Sequence, residues 1–195
     1  MSATDTNFPL GDFANKDGIT VTDLVLSPPD QGADFSDLFK NSHVTNSLFD
    51  GVTVNGGKQS ENAWDSNRGT SGNTYLHLKL TPGKECAVLL KDGFSKNTVD
   101  DLEITAHGGN SDWYEGDYSD QGGVKNTGNK YNNVRMSDGS AVLVSWTFFR
   151  AEKPQFTNSK ISYQYILSLF RTCYVELKTF LVWLPLTSTW AKNNL

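Results

Sequence analysis

The feature that most constrains this chain is a pattern recurring at a near-constant interval. Short alternating apolar segments, Gly51-Val-Thr-Val-Asn55, Tyr75-Leu-His-Leu-Lys-Leu80 and Asp101-Leu-Glu-Ile-Thr105, follow one another with Gly, Asn and Asp between them. Strand centres at Val52, Leu78, Ile104 and Val134 are 26, 26 and 30 residues apart. A second series, Trp64, Val88, Tyr114 and Val142, is spaced by 24, 26 and 28. Breakers every few residues defeat a helical reading of this region. Near-constant periods in the twenties, with short strands between turns, fit the coils of a parallel β-solenoid.

One coil cannot bury its own inward side chains, but stacked coils can. Equivalent strands then lie about 4.8 Å apart and their inward residues form apolar columns. The expected inward set is Val52, Val54, Leu76, Leu78, Leu80, Leu102, Ile104, Val134 and Met136; Thr53, His77, Lys79, Glu103 and Arg135 alternate with them and face solvent. Turns at Asn55-Gly56-Gly57, Pro82-Gly83, Asp92-Gly93, Gly108-Gly109 and Asp138-Gly139 supply positive φ at low cost. An antiparallel sandwich or jelly roll is the competing all-β architecture. The low hydrophobic fraction of 37% and the 17 glycines suit either.

Around this middle the chain divides into three. Residues 1–18 are polar, with Phe8, Leu10 and Phe13 as scattered anchors, and read as an arm or cap. The solenoid spans 19–160. From Ile161 to Leu184 the apolar residues recur at helical spacing, with Gln164, Ser168, Arg171, Thr172, Glu176 and Thr179 opposite them. This predicts a C-terminal amphipathic helix, stopped by Pro185, with a tail to residue 195. Tyr163, Ile166, Leu167, Phe170, Tyr174, Leu177 and Leu181 form its expected contact face, toward the solenoid or toward another copy. Arg171, Glu176 and Lys178 argue against a membrane span, since each charge costs roughly 2.5–3.5 kcal/mol near the bilayer centre.

The net charge of −5 and the absence of a Lys/Arg run disfavour a nucleic-acid surface. Cys86 and Cys173, both in apolar surroundings, read as buried thiols, and whether they pair is left open. Neither their spacing nor that of the histidines suggests zinc. The first residues lack the charge and apolar run of a secretory signal, so the expected location is a virion, or the cytoplasm or release without a signal peptide.

Three stretches have the residue types of a chemical site. Glu61 to Gly69 gathers Asp65, Asn67 and Arg68, as a calcium- or uronate-binding coil would, or a polar turn that satisfies its own backbone. Asn97-Thr-Val-Asp-Asp101 precedes Ala106-His-Gly-Gly109. Ser111 to Asp120 is acidic and aromatic and includes Asp117, which suits a sugar-contacting loop or an ordinary exposed one. The Asp-Asp and His-Gly motifs, with Phe49 to Gly57 and Asn132 to Val144, resemble the pectin-lyase-like right-handed parallel β-helix proteins over residues 19–160. In the polygalacturonases of that superfamily the two motifs lie a full coil apart; here Asp101 and His107 are six residues apart, and no later Arg-x-Lys follows. The resemblance therefore implies the right-handed fold, and specifically the short structural modules encoded by phages and viruses. It implies a non-enzymatic structural or adhesive module that oligomerises on a capsid or tail, needing no cofactor. The alternative is a carbohydrate-active lyase or hydrolase, or a glycan-binding module, with Asp65, Arg68, Asp101, His107 and Asp117 as its candidates and Ca²⁺ as a possible cofactor.

Overall fold

The computed structural model describes residues 9–28, 35–56, 60–81, 86–106, 111–116, 124–138, 144–149, 155–162, 166–168, 176–177 and 180–183. The chain runs as successive passes, each laying one strand in a first sheet and a straight or bent strand in a second. The first pass has β1 (Gly11–Ala14), β2 (Thr20–Thr22) and β3 (Val25–Leu26). The second has β4 (Phe35–Ser42), β5 (Leu48–Asp50) and β6 (Thr53–Asn55). The third and fourth have β7 (Ser60–Asn67) with β8 (Thr74–Thr81), and β9 (Cys86–Lys91) with β10 (Thr98–Ala106). The fifth has β11 (Ser111–Gly116), β12 (Lys130–Asn132) and β13 (Arg135–Asp138). Beyond it come β14 (Val144–Phe149), β15 (Gln155–Thr157) and β16 (Ser159–Ser162), then β17 (Ile166–Ser168), β18 (Glu176–Leu177) and β19 (Phe180–Trp183).

The first sheet runs β1-β4-β7-β9-β11-β14-β17, and the second stacks the remaining strands in the same order of passes. Pairings in both sheets are parallel, for example Trp64 to Val88 and Leu78 to Leu102. This is a parallel β-solenoid, and it replaces the antiparallel alternative.

The passes are unequal. Equivalent positions lie 28, 26, 24, 32 and 25 residues apart from the first pass to the sixth. Loops absorb the difference, so the true columns differ slightly from those expected. Leu78 stacks on Leu102 rather than Ile104, and Val88 on Trp113 rather than Tyr114. The columns Val54–Leu80–Ile104–Met136 and Val52–Leu78 are buried as expected.

Leu76 is the exception, only half-buried. His77 beside it has a left-handed backbone, φ 52°, and bends the strand between Tyr75 and Leu78. The same bend recurs in every pass through the sixth, at Asp23, Gly51, His77, Asp101, Asn133 and Asn158. Just before it, Val21, Phe49, Tyr75, Val99, Tyr131 and Phe156 stack in register. Phe49 and Tyr75 lie face to face at 5.2 Å, and Tyr131 and Phe156 at 4.7 Å.

The expected helix over 161–184 is not found among the described residues, where β16 to β19 continue the parallel stack. Ser159 to Ser162 pairs with Phe180 to Trp183 in register. Left open, the edge of β16 would be an unpaired row of backbone groups, and β19 satisfies it directly. The described apolar residues of this segment lie on short strands. Ile166 and Leu167 therefore belong to β17, Leu177 to β18 and Leu181 to β19. Tyr163, Phe170 and Tyr174 lie outside the described residues, as does Cys173; the Cys86 side chain is buried.

Candidate functional site

A buried cluster of charge lies across β4, β7 and β9. Phe39 and Trp64 belong to the core, so their neighbours Lys40 and Asp65 project from the opposite face of the sheet. Lys40 and Asp65 are register partners. The Lys40 ammonium donates to Asp37 Oδ2 at 2.6 Å and to Asp65 Oδ2 at 3.4 Å. Lys91 reaches Asp65 Oδ2 from β9 at 3.3 Å. Asn62 Nδ2 donates to Asp37 Oδ1 at 2.9 Å, and Asn67 Nδ2 to Asp65 Oδ1 at 3.3 Å.

Both aspartates are sealed, at 2% and 1% exposure, beneath the partly exposed lysines. Burial, and then the nearby charge of Asp37, push the Asp65 carboxyl up to about 6 against the pull of Lys91 and Lys40. Burial also works against the charge of Lys40, but Asp65 and Asp37 outweigh it and hold the ammonium above its ordinary value. A carboxyl that titrates near neutrality between lysines is able to give or take a proton.

Of the residues expected from sequence, Asp65 and its neighbour Asn67 belong to this cluster. Arg68 is exposed at the corner after β7, with φ 50°. Asp101 lies in the second sheet, at the stacked bend, where Arg135 Nη1 meets its Oδ1 at 2.5 Å. His107 and Asp117 fall outside the described residues. His77, expected to face solvent, meets Asp50 at 2.7 Å from one pass away. That hydrogen bond raises the imidazole above its usual value. Asp37, Lys40, Asn62 and Lys91 were not singled out from sequence. The available signal was periodic: Asp37 and Asn62 pair in register, as do Lys40 and Asp65, at the same 25-residue offset.

A second set of polar residues is buried along the corner that leads into β5, β8, β10 and β12. Ser47 Oγ accepts from the Ile19 N–H at 3.1 Å. Asn73 Oδ1 accepts from Ser47 N–H, Asn97 Oδ1 from Asn73 N–H and Asn129 Oδ1 from Asn97 N–H, at 2.9, 2.9 and 3.1 Å. Each amide nitrogen turns back to a carbonyl of an earlier pass: Asn73 to Val44, Asn97 to Thr70 and Asn129 to Phe94. One side chain per pass thus satisfies a donor and an acceptor that the turn leaves off the sheet ladder.

Comparison with known protein families, curated proteins and solved structures found no match to this chain. Among the described residues, no group of three His, Cys, Asp or Glu side chains is placed to hold a metal ion.

Proposed function

We propose that this protein is a non-enzymatic structural or adhesive module, a right-handed β-helix of the phage- and virus-encoded kind that works by oligomerising on a larger particle such as a capsid or tail. The observation that carries the reading is where its polar side chains are engaged. Asp101 is tied to Arg135, His77 to Asp50, Asp65 to Lys40 and Lys91, and the buried asparagines to the passes on either side. These contacts stiffen a stack. The first pass supports assembly. Among the described residues β1 pairs only with β4, and Leu10, Phe13, Ile19, Val21 and Leu24 are partly buried against the core. An unpaired sheet edge over half-covered apolar side chains is a natural place for another strand to add.

Light scattering over a concentration series tests this, combined with fractionation of the native source. A defined multimer that sediments with particles is the expected result. A monomer at every concentration that never associates with a particle would overturn the reading.

The Asp37–Lys40–Asp65–Lys91 cluster favours a second reading, a carbohydrate-active module. Two carboxylates that share one lysine, with Asp65 raised toward neutrality, have the components of acid–base chemistry. Turnover of polyuronates and neutral glycans, with and without Ca²⁺, is the assay. Activity that survives Asp65→Asn unchanged would remove the cluster from consideration.

A further inference from the structure

We infer that Glu115 is a pH-sensitive latch joining the asparagine-laddered passes to the C-terminal passes, closed when its carboxyl is protonated and loosened when it ionises. Glu115 lies on β11, the strand that links β9 to β14 in the first sheet. It is 1% exposed. On β9 its register partner is Leu90, which is buried in the core. A carboxylate shut away from water beside that apolar neighbour is costly to ionise.

The hydrogen bonding is incomplete. Asn129, the last asparagine of the ladder, donates to Oε1 at 2.8 Å. The Oε2 atom has no hydrogen-bond partner among the described residues. From β12 the Tyr131 hydroxyl approaches, and from β11 itself the Trp113 indole, and both ease the charge slightly. The phenol of Tyr131 is the titratable group facing the carboxyl from a neighbouring element. Burial and the Glu115 charge hold that phenol well above its usual value, so it stays neutral. Among the described residues no lysine or arginine acts on Glu115.

Burial pushes the Glu115 carboxyl up to about 7, whereas an unfolded glutamate titrates near 4.3. The folded state therefore binds the extra proton between those two values. The latch is fully closed below about pH 4 and weakens as pH rises toward and through about 7. Ionisation favours hydration of the carboxylate, and β11 is the element that must open to admit water. The passes beyond it are held in the first sheet through β11, so they loosen with it.

Hydrogen exchange resolved to β11 tests this at pH 5.5 and 8.5, corrected for the intrinsic pH dependence of exchange. Protection of the β11 amides is expected to fall by roughly tenfold or more at the higher pH. Glu115→Gln is expected to abolish that fall. Asp65→Asn, which removes the other raised carboxyl, is expected to leave it in place. Tyr131→Phe, which keeps the ring, is expected to move the midpoint upward. Equal protection of wild-type β11 at both pH values would overturn the latch. So would a pH response that persists in Glu115→Gln, or one that vanishes in Asp65→Asn.

Discussion

The smallest repeated device is one buried amide. Asn97 accepts from the N–H of Asn73 and donates to the carbonyl of Thr70, tying its own pass to the one before. Asn97→Ala would leave both backbone groups buried without those partners. It is expected to cost about 3 kcal/mol, read as a lower urea midpoint. Asn97→Ser should cost less, because Ser47 holds the equivalent position two passes earlier with its hydroxyl. The residue just before the ladder position is left-handed in each of these passes, and its identity shows the cost of that geometry. Gly18, Gly72 and Gly128 adopt it freely, whereas Lys96 holds φ 57° with a side chain. Lys96→Gly is therefore expected to stabilise by about 0.5–1 kcal/mol, visible as a higher melting temperature.

At the scale of elements, β4, β7 and β9 are joined by charge as well as by backbone. Lys91 is one of two cations on a carboxylate that is 1% exposed. Lys91→Met is expected to cost about 2 kcal/mol, because among the described residues it leaves Lys40, at 3.4 Å, as the one cation on Asp65. In an Asp65→Asn background the same substitution should cost less, and a double-mutant cycle in urea measures the difference. The strands of the middle passes were legible in the sequence because their Val, Leu and Ile residues alternate. The register was less so, because a slip of one residue exchanges faces without changing composition. Tyr114 and Trp113 are adjacent aromatics, and the alternation at that point does not say which continues the Val88 column. Leu76 was read as inward because nothing in its own segment announces the bend at His77. That bend is visible only when the passes are aligned, as Thr-Asp, Asp-Gly, Leu-His, Asp-Asp, Asn-Asn and Thr-Asn preceding the same inward position. The charge cluster was missed for a related reason. Asp37 and Lys40 lie in a stretch that fits a helical turn as well as a strand, so their partners 25 residues on had no meaning until β4 was placed beside β7.

For the whole molecule, the ladder, the bend and the aromatic column recur from pass to pass, and each pass contacts mainly its two neighbours. Stability is then close to a sum of pass terms and interface terms, and the fold tolerates loss of a unit if the remaining faces match. The segment from Asn73 to Lys96 is such a unit, because Asn73 and Asn97 are equivalent positions 24 residues apart. Excising it joins Gly72 to Asn97, which returns a left-handed glycine followed by a ladder asparagine. It also brings Ser47 under Asn97, Phe49 under Val99, and β7 under β11. The expected product keeps a β-rich circular dichroism spectrum and unfolds in one transition, with an m value lowered roughly in proportion to the surface removed. It should be less stable than the parent, since Asp65 loses Lys91 and the Phe49–Tyr75 stack is gone. A control excision that extends one residue further, from Asn73 to Asn97, joins Gly72 to Thr98 instead. It removes the ladder asparagine and shifts Val99 out of the aromatic column, so the inward and outward faces of β10 exchange. That control should not fold, so two shortened chains of nearly identical composition would separate register from composition as the determinant of this solenoid.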